Sequence, residues 1–395
     1  MTIRNLKHQL LAFLFCIAFG SLLSHSKRSP DSYRINTDEN LEKNHEITNQ
    51  FLNDNDGQNA PLFHFIAHYV KARLTAKPTI EEKLISNAGP RTTNLWDPYY
   101  IEYSIPQDEV LLFSYFKGNG EDGLHLAYSE DGFVWKALKN DTSFLSPVVG
   151  KDKLMRDPCI IKGGDGNYHM VWTVSWTYNG IGYAYSKDLI NWSEQQFIPV
   201  MAHQKDNRNT WAPEITFDPD TGTYMIYWAS TVSGKFPETK SEKENGYNHR
   251  IYYTTTQDFK NYAQTRLLYE PGFNVIDSHI IKIKDQYVMF LKDETIEPPQ
   301  KNIKIAYSNA LEGPYSAPGK PITGDYWAEG PTTAYVDGQF IVYFDKYINH
   351  QYGAVTSKDL HNWKDVSDRI KFPEGARHGT IISIPRSVLE KLKEE

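Results

Sequence analysis

The sequence predicts an all-β fold, a five-bladed β-propeller with a short N-terminal helical segment. Three observations lead there. Five segments share one template: AYSEDGFVW (127–135), AYSKDLINW (184–192), TTTQDFKNY (254–262), AYSNALEGPY (306–315) and VTSKDLHNW (355–363). Each reads as a strand ending in Ser or Thr, usually followed by Asp, with an aromatic six or seven residues after the Ser or Thr. The anchors Ser129, Ser186, Thr256, Ser308 and Ser357 stand 57, 70, 52 and 49 residues apart, close to the repeat length of four-stranded propeller blades. Between them lie short apolar strands such as LLFSYF, YHMVWTVSW, YMIYWAS, YVMFLKDE and FIVYFDKY. The excess of aromatics, 26 Tyr, 19 Phe and 9 Trp, suits strands and also suits stacking on sugar rings.

Ahead of the repeats the chain changes character three times. Residues 1–26 have the pattern of a signal peptide: Arg4 and Lys7, a mostly apolar stretch at 10–23, then Ser24 and Ser26. The apolar stretch is short for a membrane span. Residues 27–60 are polar and rich in Asn and Asp, the composition of a flexible linker. Residues 61–90 open with PLFHFIAHYVKARLTA, which sets Phe63, Ile66, Ala67, Val70 and Leu74 on one helical face. The propeller is expected over 91–388.

Composition bounds the partners. The formal charge is −7, and loss of Arg4 and Lys7 with the leader makes it −9, which argues against nucleic acid or an anionic membrane as the partner. Of the two cysteines only Cys159 would then remain, so no intrachain disulfide is available to an exported chain. The hairpin turns KGGDGNY and DGQF are not followed by helices and are not phosphate loops.

In a propeller the first strand of each blade lines the axis, so polar residues opening those strands converge. They are Arg156-Asp157-Pro158, Trp211-Ala212-Pro213-Glu214, Ile276-Asp277-Ser278-His279, Trp327-Ala328-Glu329-Gly330-Pro331 and, on the strand closing the ring, Arg377-His378-Gly379-Thr380. Trp96-Asp97-Pro98 is a sixth candidate. Any one of these taken alone reads better as a strand-cap or turn carboxylate than as a functional group. Clustered on one axis they are costly unless used.

The segments RDPCI, WAPEI, VIDSHI, WAEGPT and RHGT resemble the signature segments of glycoside hydrolase family 43, over roughly residues 95–385. The resemblance implies a five-bladed propeller acting on arabinose, xylose or galactose linkages of a polysaccharide. It implies Asp157 as general base, Asp277 as a modulator of pKa and Glu329 as general acid. A complete blade precedes the base blade here, so the ring is cut at a different place from the family pattern. A retaining reading, with Asp97 as nucleophile, stays open, as does a non-catalytic carbohydrate-binding propeller. SEDGFVW also resembles a sialidase Asp-box turn, one residue short.

The residue types suit the chemistry. Glycoside hydrolysis needs one carboxylic acid and one carboxylate near neutral pH. Glu329, beside Trp327 and Pro331, is expected to have its pKa raised by desolvation and by the Asp277 anion. Arg156 is expected to keep Asp157 ionised, with Pro158 aiming its carboxylate into the channel. Trp211, Trp176, Arg250 and His378 are candidate sugar contacts. No cofactor is required by the sequence; the family resemblance places a calcium ion beside a histidine such as His378. The insertions at 233–249 and 293–302 are expected to rim a pocket, which favours exo action on a polysaccharide or oligosaccharide outside the cytoplasm.

Overall fold

Five antiparallel sheets make up the described part of the chain, residues 108–395 of a computed structural model. The leader, the polar linker, the helical segment at 61–90 and Asp97 lie outside the described residues. Blade one holds β1 (Glu109–Phe116), β2 (His125–Ser129) and β3 (Lys136–Ala137). Blade two holds β4 (Arg156–Lys162), β5 (Tyr168–Thr173), β6 (Ile181–Ser186) and β7 (Gln196–Ile198). Blade three holds β8 (Trp211–Asp218), β9 (Thr223–Ser230), β10 (Arg250–Thr256) and β11 (Arg266–Tyr269). Blade four is β12 (Val275–Ile283), β13 (Gln286–Asp293) and β14 (Asn302–Ser308), and blade five is β15 (Glu329–Val336), β16 (Gln339–Lys346), β17 (Gln351–Ser357) and β18 (Lys364–Asp365). The last strand, β19 (Arg377–Pro385), pairs with β1 and becomes the innermost strand of blade one.

The ring is visible in the contacts of the first strands: β19 touches β4, β4 touches β8, β8 touches β12, β12 touches β15, and β15 touches β19. Blade four has three strands. Its outer edge is met by single backbone bonds, from Ser316, Gly319 and Ile322 to Tyr307, Ile305 and Ile303, because Pro314, Pro318 and Pro321 interrupt that segment.

The second strand of every blade is a mainly apolar run because both of its faces are buried, and the alternation of side chains divides them between neighbours. In β9, Met225, Tyr227 and Ala229 join the core shared with blade four, while Tyr224, Ile226 and Trp228 join that shared with blade two. β13 divides likewise into Tyr287, Met289 and Leu291 against Val288 and Phe290. Five such cores, one per pair of neighbouring blades, hold the ring together.

The repeated template marks the third strands. Ser129, Ser186, Thr256, Ser308 and Ser357 are the last residues of β2, β6, β10, β14 and β17. In blade two the Ser186 hydroxyl accepts from the Leu189 N–H, Asp188 accepts from the N–H groups of Ile190 and Asn191, and Trp192 donates back to the Leu189 carbonyl. Blades three and five repeat this with Asp258 and Tyr262, and with Asp359 and Trp363. The aromatic six residues on is therefore the lock of the turn. The chain ends in a helix that the repeats do not foreshadow, α1 (Arg386–Lys393), whose Leu389 and Leu392 enter the core between blades one and two.

Closure depends on Gly379. A Cβ there would stand 1.7 Å from the Ser114 carbonyl oxygen of β1, a contact only backbone displacement relieves. We expect Gly379→Ala to lower unfolding free energy by about 3 kcal/mol or more, read in urea denaturation; a loss under about 1 kcal/mol would show that the β1–β19 seam does not limit stability.

Candidate active site

Each inner strand opens with the same irregularity. Pairing with the second strand skips between Arg156 and Cys159 in β4, Trp211 and Glu214 in β8, Ile276 and His279 in β12, and Glu329 and Thr332 in β15. The first skipped residue has left-handed backbone in every case: Asp157 at φ 52°, Ala212 at 45°, Asp277 at 50° and Gly330 at 59°. Such a bulge turns a side chain out of the strand's alternation. Pro158, Pro213 and Pro331 fit the following position, where no ladder N–H is needed. The bulge itself, rather than the proline, aims Asp157. His378 holds the corresponding place on β19, one residue after Arg377, which pairs with Phe116.

The bulges bring Asp157, Asp277 and His378 together. His378 Nδ1 lies 3.4 Å from Asp157 Oδ1 and 3.8 Å from Asp277 Oδ2. Thr173 donates to Asp157 Oδ2 at 2.8 Å and accepts from the Ala212 N–H at 2.8 Å, which fixes its hydroxyl. Asp277 accepts from the Gly330 N–H at 3.0 Å. Gly330 must be glycine: a Cβ would meet the His378 ring at 2.4 Å.

Burial sets the ionisation, and the neighbours divide it. For Asp157, burial favours the neutral form, but His378 by contact and charge, then Arg156 and Thr173, hold its pKa down to about 2. For Asp277, burial dominates; His378 opposes it, the Glu329 anion adds to it, and the pKa is raised to about 7. For His378, burial favours the neutral ring, yet the charges of Asp277 and Asp157 raise its pKa to about 9. The ring is therefore an imidazolium between two carboxyls.

Glu329 departs from the sequence expectation. Lys292 Nζ lies 2.9 Å from its Oε2 and Arg377 Nη2 lies 3.1 Å from its Oε1. Burial does favour the neutral form, but these two cations outweigh it and lower the pKa. It is Asp277 rather than Glu329 that carries the raised value. Arg377 also bridges to Asp345 at 3.1 Å, a carboxyl that burial and Glu329 push up to about 6. Lys292 and Asp345 were not singled out in the sequence. Their signal was a charge near the end of an otherwise apolar second strand, in YVMFLKD and FIVYFDK.

Two of the predicted sugar contacts stand together. Trp176 is 44% exposed, stacks under the Arg156 guanidinium at 4.3 Å and meets Trp211 edge-on at 5.5 Å. Trp211 continues to Tyr247 at 4.7 Å. This aromatic row adjoins Asp157 through Arg156. Arg250 is different: it is 0% exposed, bonded to Asn248, Thr239 and the His249 carbonyl and paired with Glu270. It braces the 233–249 insertion and has no surface to offer a sugar. His279 sits deeper, between Glu214 at 2.7 Å and Thr333 at 3.0 Å. No three His, Cys, Asp or Glu side chains among the described residues are arranged around a cation.

The chain matches the profile of the glycoside hydrolase 43-related family, described as a probable glycosyl hydrolase domain, over residues 108–390. It belongs to that family. It is 23% identical over 353 residues to an alpha-L-arabinofuranosidase of Bifidobacterium longum subsp. longum, covering 70% of this chain and 33% of that protein. The chain thus spans about a third of the length of that curated relative. Among solved structures, an alpha-L-arabinofuranosidase from Lactobacillus brevis superposes with TM-score 0.43 at 20% identity, covering 54% of this chain and 72% of the other. An exo-beta-1,3-galactanase from Clostridium thermocellum gives TM-score 0.43 at 13% identity, covering 55% and 50%.

The buried imidazolium makes stability depend on pH. Its folded pKa, about 9, lies above the ordinary 6.5. Its contribution is complete below about pH 6.5 and lost as pH rises through about 9. Urea unfolding of the wild type and His378→Gln should therefore differ most at pH 6 and converge by pH 9.5; a difference independent of pH would mean that the ring is buried neutral.

Proposed function

We propose that this family member is an inverting, exo-acting glycosidase that releases arabinofuranosyl, xylosyl or galactosyl units from a polysaccharide. The observation that carries the reading is the division of ionisation among three carboxyls around one axis. Asp157 is held ionised by His378, Thr173 and Arg156, which suits a general base that takes a proton from water. Burial and the Glu329 anion raise Asp277 to about 7, so Asp277 retains a proton near neutral pH. Glu329, the more exposed of the two carboxyls, is read as the group that protonates the leaving oxygen, with its proton supplied from the side of Asp277. Asp277 thus sets the acidity of Glu329. The arabinofuranosidase relative favours arabinofuranose as the sugar released. Trp176 and Trp211 stack on the substrate beside the base. The N-terminal pattern at 1–26 supports export, and the polysaccharide substrate agrees with a location outside the cytoplasm.

Inversion requires room for water between base and anomeric carbon, with carboxyls roughly 6.5–9.5 Å apart. The first-formed sugar should show the opposite anomer by proton NMR. Asp157→Asn should lose about 10³-fold or more in kcat/KM, and azide should not rescue it by forming a glycosyl azide of retained configuration. A retained anomer, or a retained glycosyl azide, would overturn Asp157 as base and transfer the reading to a nucleophile elsewhere.

Glu329→Gln separates acid catalysis from binding. Cleavage of oligosaccharides should fall about 10²–10⁴-fold, while p-nitrophenyl glycosides, whose leaving group needs little protonation, should keep most of their rate. Equal losses on both would remove Glu329 as the acid. A panel of p-nitrophenyl arabinofuranoside, xyloside, galactoside and galactofuranoside identifies the sugar.

A further inference from the structure

An unbroken row of alternating charges runs from the 233–249 insertion to Glu329. Glu244 lies on that insertion and holds Lys301 Nζ with both oxygens, at 2.7 and 2.9 Å. Lys301 Nζ is 2.6 Å from Glu294 Oε1, and Glu294 Oε2 is 2.7 Å from Lys292 Nζ. Lys292 Nζ is 2.9 Å from Glu329 Oε2. Both lysines have side chains only 1% exposed, Glu294 14%, and Glu244, at the outer end, 37%. Trp327 covers Lys301 at 5.5 Å and Tyr347 covers Lys292 at 4.5 Å. The two insertions are clasped a second time by Lys243 and Glu297 at 2.5 Å.

We propose that Lys292, Glu294 and Lys301 are positioning residues that fix the Glu329 carboxylate and make its acidity depend on the insertion carrying Glu244. A buried ammonium is tolerated only where anions compensate it, and each lysine here is shared between two carboxylates. Whatever one anion gains, the other loses. Weakening the hold of Glu244 on Lys301 turns Lys301 toward Glu294, which frees Lys292 for Glu329. Removing Lys301 does the reverse, because an uncompensated Glu294 draws Lys292 away from Glu329. The sign of the effect on Glu329 therefore alternates along the row. The other charged groups around Glu329 are Arg377 and Asp345 on one side and Asp277, His378, Arg156 and Asp157 toward the axis. None of them belongs to the row, so they offset every variant equally. That Glu329 acidity controls turnover rests on the reading above; the row itself does not.

The experiment reads Glu329 directly. Carboxyl-labelled glutamate is followed by carbon NMR against pH, with the Glu329 signal assigned by its disappearance in Glu329→Gln. Lys292→Met should raise the Glu329 midpoint by about one unit or more and Lys301→Met by about half a unit. Glu294→Gln and Glu244→Gln should lower it. Lys301→Arg should restore the wild-type midpoint. Glu244→Gln, on the exposed end, keeps the test open if a buried variant fails to fold. Shifts of one sign throughout, or none beyond Lys292, would overturn the row as a positioning device. The alkaline limb of kcat/KM on arabinobiose, xylobiose or galactobiose is measured in parallel. If the NMR midpoints alternate while that limb stays fixed, the row stands and Glu329 is not the acid.

Discussion

The structure turns on one buried cation. His378 lies at the axis of the ring with a carboxyl on either side of it, and it sits on β19, the strand that closes the ring by pairing with β1. Without it, Asp157 and Asp277 would face each other in a medium where unpaired charge is costly. Ring closure and charge compensation are thus one event. The same closure brings Arg377 to Glu329 and Asp345. The glycines around His378 follow from this: Gly330 leaves space for the ring, and Gly379 lets β19 lie against β1.

Around that cation the three acidic groups acquire different characters: Asp277 is buried, Asp157 and Glu329 are half-buried, and each has different neighbours. Asp157 has the imidazolium, a hydroxyl donor and Arg156. Asp277 has one backbone N–H, a longer approach to the same imidazolium, and an anion nearby. Glu329 has two cations of its own. Burial amplifies whichever neighbour is present, since each charge interacts more strongly away from water.

What the sequence disclosed follows from the range of each interaction. The repeats, their anchors and the strand mouths are local features, so the blade count and the gathering of Asp157, Asp277, Glu329 and His378 at the inner-strand openings were legible. The turn template was legible because Ser186, Asp188 and Trp192 bond within six residues of one another. The environment of Glu329 was not, because Lys292 comes from one blade and Arg377 from the closing strand, 37 and 48 residues away. Arg250 misled for a related reason: a cation opening a strand looks like a ligand contact until its partners, Asn248, Thr239 and Glu270, are seen to enclose it. The C-terminal helix repeats nothing in the chain, so the periodicity had no means of announcing it.

The bulge explains how one backbone serves several chemistries. At the first skipped position the five inner strands carry Asp157, Ala212, Asp277, Gly330 and His378, the first four of them left-handed: two acids, two small residues and an imidazolium. The small residues are as necessary as the charged ones. Gly330 gives the imidazolium its space and also donates the N–H that Asp277 accepts. Glu329 stands one position earlier, where the strand is still in register: it pairs with Asp345 across the ladder, so both side chains share a face and Arg377 can bridge them. Base and acid candidates are thus separated by a single step along equivalent strands. One sits on the bulge and faces the closing histidine; the other sits before it and faces the lysine of the preceding blade. A shift of one residue in either bulge would take its carboxylate out of these surroundings, which is why the irregular pairing at the strand mouths, more than any single side chain, fixes the arrangement of the site.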